Sequence, residues 1–504
     1  MNAQSLMNQF AGVAAASGAN PVLGGSVGGS LDAVEELKKA LQASDYQTDV
    51  ATLTGGGALG VQSLDTAMKT VVQEQEHFVL FKKLQQTSAT NIVDEYVRQS
   101  GVGGFLGGST NTQMGVVRAA QGEYSREVGM VKFLMSLRQV GYVLNIGKNI
   151  IDATAAEERN GALQLLTDAE YLLFHGNSAA CPTQFDGIFT QLDNEIAGGR
   201  MSDDHVIDLD GAALDSVDAF TKLQATVKKY GSWGTLTDTF LTTGVQADLN
   251  YGIDPAFRWT PQGANTPMIG AHVDAIRLSG GRLATQEDTF LHDGDFPMAK
   301  PFEVTWPAIA TANVAFKPAS VTVDASVTDT ASRFNTARAG NYYYAVAAIG
   351  GEGQGYTEVV KSGQTAVNSG KKAVLTITKS SAGTETGYAI YRSRQNGTND
   401  TTDFRLVKVI PKAAGNTTTF TDLNRDIPGS VAIPCLNMTP AADAIGWRQF
   451  QPMTKIPLPF GVGGMPVISW FQFLFGYLRV TKPKHHGYIK NVIPKNASWL
   501  PFSA

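Results

Sequence analysis

The spacing of apolar residues predicts helices in the first half of the chain. The clearest spans about Ala155–Phe174, where Ala162, Leu166, Ala169 and Leu173 recur every three to four residues and share one face. Two acids in its expected first turn and a glycine after its end support these bounds, at Glu157, Glu158 and Gly176. Three more helices are predicted, over Leu64–Leu84, Leu214–Lys229 and Thr237–Leu249.

Between residues 86 and 137 the pattern changes to extended segments. Asn91–Arg98 and Gly115–Leu137 flank the glycine-rich run Gly101–Gly108, which predicts a two-stranded excursion with a glycine tip. Two strands without a core of their own are marginally stable. We therefore expect the excursion to lie on something else, with another subunit as the leading candidate. The expected assembly contacts at its tip are Gly103, Gly104, Phe105 and Leu106.

Residues 317–431 are compositionally separate, with 17 Thr and no Cys, His, Met or Trp. Seven short strands at turn-like spacing predict a β-sandwich, over Ser320–Asp324, Asn341–Ile349, Tyr356–Val360, Ala373–Thr378, Gly387–Arg394, Phe404–Ile410 and Thr417–Thr421. Strand-like sequence resumes at Val431, so the sandwich is expected to be an insertion in a host domain made of residues 65–316 and 432–504. Residues 1–64, rich in Gly, Ala and Ser, are expected to form a loose arm that neighbours order.

Composition sharpens this picture. Charged residues make up 17% of the 504 positions, against roughly 25% in an average soluble protein, while 43% are hydrophobic. This combination excludes a disordered charged tail and indicates surface that a partner covers. The net charge of −5 divides into +4 for residues 317–431 (13 basic, 9 acidic) and −9 for the rest (27 basic, 36 acidic).

The sequence gives little support for a membrane segment or a secretory signal. Ile456–Leu478 carries no charge over 23 residues, which is long enough to cross a bilayer. Three Pro and three Gly crowd its first half and would break a helix, so a buried strand, Val467–Val480, is predicted instead. No basic region precedes the first apolar residues, so a secretory signal is not expected. Two cysteines are too few for a disulfide framework and fit a reducing cytoplasm.

The order of these elements carries a family resemblance. An N-terminal arm and a long β excursion precede a helix that ends in Leu172-Leu173-Phe174-His175-Gly176, with the loop Phe185-Asp186-Gly187-Ile188 after it. A mixed segment with Thr239-Phe240-Leu241 follows, and strands return at Phe471–Val480 and Gly487–Val492. This order resembles the Hong-Kong-97-like major capsid proteins of tailed bacteriophages. Tyr342–Val346 and Gly387–Ser393 give the insertion a separate resemblance to immunoglobulin or fibronectin type III-like modules.

The resemblance implies an α+β capsid fold in which residues 1–64 are the N-arm, 86–137 the E-loop and 155–174 the spine helix. It also implies a virion shell protein that assembles in the bacterial cytoplasm into pentamers and hexamers of an icosahedral head around double-stranded DNA. Portal, scaffolding and decoration proteins are the other partners implied, and no membrane. The arm is glycine-rich rather than helical and charged, so a separate scaffolding protein is expected in place of a fused one. The insertion is expected to project from the outer surface of the head.

Candidate catalytic and metal sites have simpler interpretations. Asp203-Asp204-His205 and His292-Asp293-Gly294-Asp295 hold cation-ligand types, but they match no EF-hand or zinc spacing, and Asp/Gly clusters are typical of turns. Adjacent His485 and His486 would point to opposite faces of a strand. Cys181 and Cys435 lack any motif, so inert thiols are expected. We predict no enzyme activity and no cofactor.

The last 61 positions contain no acidic residue after Asp443. The residues expected to face DNA or another subunit are Lys482, Lys484, Lys490 and Lys495. A solvated edge of a strand explains the same pattern equally well, so both interpretations stay open. The rival to a shell protein is an adhesin or tail-fibre-like protein whose sandwich recognises a surface ligand, although an adhesin would be expected to show an export signal and a fibre internal repeats.

Overall fold

Ten stretches of the chain are described by a computed structural model. They are residues 78–105, 107–117, 119–146, 152–231, 234–252, 273–292, 294, 317–350, 359–461 and 465–502. All of them belong to one compact unit. The predicted arm, residues 64–77 of the first predicted helix, and Leu106 lie outside the described residues.

Six α-helices lie in this part of the chain. They are α1 (Leu80–Lys83), α2 (Tyr142–Ile146), α3 (Ala153–His175), α4 (Ile188–Ala197), α5 (Asp218–Tyr230) and α6 (Thr243–Gly252). The prediction of a helix through Leu84 is wrong at its end, because Leu84 is extended and a strand follows. The predicted helix over Thr237–Leu249 is also wrong in its first part. Asp238–Leu241 is a fully buried strand, and the helix starts at Thr243.

The long helix α3 starts two residues earlier than expected. Asp152 caps it by accepting hydrogen bonds from the backbone N–H groups of Thr154 and Ala155, and Gly176 is its C-cap. Glu157 and Glu158 therefore fall in the second turn instead of the first. Ala169 and Leu173 of the predicted face are fully buried, whereas Ala162 and Leu166 are only partly buried and Gly161 and Leu165 lie on the buried side instead.

Helix α3 packs on a four-stranded sheet, here called the shell sheet. Its strands are β1 (Gln85–Ser88), β19 (Ile445–Pro457), β20 (Val467–Val480) and β4 (Lys132–Gly141), in that order. Gly161 lets the Gln472 side chain approach the helix closely, because a Cβ there would lie 1.8 Å from Oε1 of Gln472. Strand β20 spans the residues predicted for it. Among the described helices, none has the length and apolar character needed to cross a membrane.

A second sheet and a hairpin complete the described part of the host domain. A six-stranded sheet contains β5 (Val206–Asp208), β21 (Gly487–Val492), β18 (Val431–Leu436), β6 (Asp238–Leu241), β8 (Gly281–Glu287) and β7 (Ala275–Leu278). One hydrophobic core joins this sheet to α3, α4, α5 and the shell sheet. A separate antiparallel hairpin, β2 (Val93–Gly101) with β3 (Glu123–Met130), leaves the shell sheet between β1 and β4.

Nine strands lie in the described residues of the inserted segment, between β8 and β18. They are β9 (Pro318–Asp324), β10 (Gly340–Tyr342), β11 (Tyr344–Gly350), β12 (Val360–Lys361), β13 (Thr365–Val367), β14 (Ala373–Ser380), β15 (Glu385–Arg392), β16 (Arg405–Pro411) and β17 (Thr417–Asp422). One sheet has the order β12-β11-β15-β16 and another β17-β14-β9, while β10 pairs with β13. Side chains from both larger sheets share one core, including Val346, Leu375, Ile377 and Ile390.

Candidate assembly surfaces

The β2–β3 hairpin and its connecting segment expose apolar side chains to solvent. Met114 is 97% exposed, Val102 86% and Val97 70%. Further exposed residues on this excursion are Val93, Phe105, Val116, Val117, Tyr124, Val128 and Met130. A soluble monomer rarely exposes this much apolar surface, and such exposure is typical of a surface that a partner covers.

The predicted tip residues lie where the excursion turns. Gly103 and Gly104 both have φ near +80°, a backbone region that glycine alone enters at low cost. At Gly103 a Cβ would lie 2.0 Å from the carbonyl oxygen of Gln121, so any side chain would collide there. Phe105 is 68% exposed, and Leu106 is outside the described residues.

One ion pair and a tyrosine hydroxyl hold the base of the hairpin. The Asp94 carboxylate accepts two hydrogen bonds from Arg448, at 2.8 Å and 3.0 Å, and a third from the Tyr477 hydroxyl at 2.6 Å. The Arg448 guanidinium lowers the pKa of Asp94, outweighing the opposite effect of burial. Gly129 on β3 permits this approach, because a Cβ there would lie 2.3 Å from the Tyr477 ring.

A second charged group holds the hairpin on α4. Arg98 donates to both carboxylate oxygens of Glu195 at 3.1 Å, and Arg200 lies 3.3 Å from Glu127 and 3.1 Å from Glu195. These side chains line a cavity of about 360 Å³ beneath the hairpin. The hairpin is therefore attached to the host mainly by charged groups around a cavity and much less by apolar packing.

The face of the shell sheet opposite α3 is also apolar. Strands β4 and β20 place Phe133 beside Phe475, Met135 beside Phe473 and Leu137 beside Phe471. Phe475 is part of an aromatic group, in which its ring centroid lies 4.9 Å from that of Phe133 and 4.8 Å from that of Phe473. Met135 is 64% exposed. We call these six residues the outer face. Nearby exposed apolar residues are Tyr142, Val143, Leu144, Ile146, Ile456, Phe460 and Met465.

The basic C-terminal residues do not form one cationic surface. Lys490 lies 3.6 Å from Asp426 and 3.9 Å from Asp208, and Lys495 lies 2.9 Å from Asp215. The remaining two predicted residues, Lys482 and Lys484, lie at the surface around a short 3₁₀ turn. Acids elsewhere in the chain thus neutralise half of the predicted set. Sequence inspection missed this because those acids lie about 60 to 280 positions away.

The histidine and cysteine candidates have structural roles. His205 makes a 2.9 Å hydrogen bond to the carbonyl of His486, whose own Nδ1 accepts from the backbone N–H of Asn437. Burial lowers the pKa of His486 to about 3 and raises that of Cys435 to about 12. Cys181 is also buried. No cluster of three metal-ligating side chains occurs in the described part of the chain, and Asp293 and Asp295 lie outside it.

The inserted segment is docked against the host by contacts that the sequence did not suggest. Trp499, near the C-terminus, is 3% exposed and donates from Nε1 to the carbonyl of Asp403 at 3.2 Å, with the Arg405 guanidinium over its ring. Arg338 pairs with Asp210 at 2.7 Å, and the Thr386 hydroxyl donates to the carbonyl of Ala180 at 2.7 Å. The segment is therefore fixed to its host at several points.

No protein-family model and no curated protein sequence matches the chain. Among solved structures it is similar to Microbacterium phage Oxtober96, with 9% identity, coverage of 89% of this chain and 100% of that one, and a TM-score of 0.41. The capsid of an empty GTA particle gives 9% identity, 88% and 99% coverage, and a TM-score of 0.44. The SrpI encapsulin of Synechococcus elongatus gives 9% identity, coverage of 87% of this chain and 95% of that one, and a TM-score of 0.35. At these values the likeness establishes neither a shared fold nor a shared function.

Proposed function

We propose that the chain is the major capsid protein of a tailed bacteriophage, which assembles with copies of itself into a closed icosahedral shell around double-stranded DNA. The observation that carries the proposal is the pair of uncovered apolar surfaces, the excursion and the outer face. Both belong to the part of the chain whose element order resembles capsid proteins. Their exposure is accounted for if each subunit covers its neighbour.

In this assembly the excursion of one subunit lies on the outer face of the next. Fully burying one Val, Met or Phe side chain contributes about 1.5–3 kcal/mol. Met135, Val97 and Phe105 are each more than half exposed, so each contact of this type adds a substantial part of that amount. A ring of such contacts would close without leaving an uncovered excursion, which is the property that a shell requires.

The inserted segment is proposed to be an immunoglobulin-like module on the outer surface of the shell. Its two facing sheets and shared core support this proposal. The contacts through Trp499, Arg338 and Thr386 further imply a fixed projection and not one that swings on a tether. Contact with packaged DNA is proposed to be non-specific, and Lys482 and Lys484 are the remaining candidates from the predicted set.

Light scattering of the purified chain tests the proposal. The double variant Met135→Ser, Phe473→Ser should assemble less than the wild type at equal concentration, because two outer-face residues lose their apolar contact. Val327→Ser is the matched control, since Val327 is 42% exposed but lies in the inserted segment. Equal assembly of the double variant and the wild type would remove the outer face from the proposed interface.

A further inference from the structure

Glu170, near the end of α3, is a fully buried carboxylate that binds backbone. Its Oε1 accepts the N–H groups of Val79 and Leu80, at 3.0 Å and 2.7 Å, and its Oε2 accepts that of Phe81 at 2.9 Å. These amides form the start of α1, and residue 78 is the first described residue of the chain. Glu170 therefore fixes the first described segment of the chain on α3.

A second buried acid faces this carboxylate. Asp288 is 2% exposed, and its Oδ1 accepts the backbone N–H of Phe290 at 2.9 Å. Its Oδ2 is buried and has no N–H or O–H donor among the described residues, while its side chain interacts with that of Glu170. Two facing acceptors without a donor repel each other unless a proton lies between them.

Within the described segments, no ion pair to either acid offsets their charge. On α3 the neighbouring titratable residues are Asp168, Tyr171 and His175, and His292 follows the turn that carries Phe290. Burial lowers the pKa of His175 to about 4 and that of His292 to about 3, so both rings are neutral near pH 7. On α1, Lys82 is exposed and Lys83 pairs with Asp238 at 2.8 Å. Neither Glu170 nor Asp288 has an ion-pair partner in the described residues.

The geometry points to a proton-held latch, in which one proton shared by Glu170 and Asp288 fixes the start of α1 on α3. Burial raises the pKa of both acids, to about 8 for Glu170 and about 6 for Asp288, and repulsion by Asp288 adds to the increase at Glu170. The folded chain thus holds a proton that the unfolded chain releases at an ordinary carboxyl pKa. By linkage, the latch is intact at lower pH and weakens as the pH rises through about 8.

Hydrogen exchange of the full chain between about pH 6 and about pH 10 tests the latch, with rates divided by intrinsic exchange at each pH. Protection of the Val79, Leu80 and Phe81 amides should fall roughly tenfold or more, while that of Leu375 and Ile377 in the insertion core stays constant. In Asp288→Asn the new amide donates to Glu170 without a titrating proton, so protection should persist at the upper pH.

Asp238→Asn is the matched control, because Asp238 is a nearby buried acid that pairs with Lys83, and this variant should keep the wild-type response. Parallel protection of the α1 and reference amides across the whole range in the wild type would overturn the latch. So would an Asp288→Asn variant that loses protection as the wild type does. If Asp288→Asn does not fold, the wild-type profile decides alone.

Discussion

Replacing Asp94 by Asn should release the hairpin from the shell sheet without unfolding the host domain. Asp94 is 8% exposed and accepts three hydrogen bonds, two of them from the Arg448 guanidinium. Asn has nearly the same shape but removes the negative charge, which leaves the guanidinium half-buried beside a neutral amide. Hydrogen bonds to charged groups are each worth about 1.5–3 kcal/mol, so a net loss of about 2 kcal/mol is expected. That loss corresponds to a roughly 30-fold increase in the equilibrium constant for opening of the hairpin from the host domain.

Hydrogen exchange measures this opening directly. The amides of β2 and β3 should exchange roughly 30-fold faster in Asp94→Asn, whereas those of the insertion core should not change. Asp324→Asn, at an exposed aspartate on β9, serves as the control. The pKa of Asp94 is lowered in the folded state, so its contribution is complete above an ordinary aspartate pKa and is lost as the pH falls through the lowered value. Unchanged exchange of β2 and β3 in the variant would refute the assigned role of this ion pair.

Three further predictions concern the tip, the docking of the insertion and its core. Phe105→Ser with Leu106→Ser should keep the melting temperature but reduce particle yield in electron micrographs; normal, stable particles would contradict the proposed tip contact. Trp499→Ala should weaken the docking of the inserted segment on the host domain by about 3–5 kcal/mol. The boundaries of the segment near residues 317 and 431 should then become sensitive to protease, whereas wild-type resistance would rule out a role for this ring. Asp422→Ala leaves the fully buried Arg392 without its partner at 2.6 Å. The free energy of unfolding, measured in urea, should fall by about 3–5 kcal/mol. A decrease below about 1 kcal/mol would disprove this prediction.

Local patterns in the sequence were sufficient to locate most regular elements. The period of Ala and Leu predicted Ala155–Phe174, and α3 spans Ala153–His175. The predicted strand Gly387–Arg394 corresponds to β15, Glu385–Arg392. Prediction failed at Asp238–Leu241, where a short apolar run fits a helix or a strand equally well. Pairing with β8 and β18 determines the outcome there.

The contacts that hold the surfaces in place could not be predicted, because their partners are far apart in the chain. Asp94 and Arg448 are separated by 354 positions, and Trp499 and Asp403 by 96. The same limitation affected the basic C-terminal residues, since Lys490 and Lys495 found acidic partners that no local pattern indicates. The two-stranded excursion was predictable because its lack of a core is a property of the local sequence, whereas its exposed apolar side chains were not predicted. The tip residues of the excursion were chosen from its glycine-rich run, whereas the outer face could be found only from the register of β4 and β20.

Electron microscopy of the purified, concentrated chain tests the central proposal most directly. We expect closed particles, roughly tens of nanometres across, in which the excursion of each subunit lies on the outer face of its neighbour. Discrete monomers or trimers under all conditions of salt and concentration would contradict it.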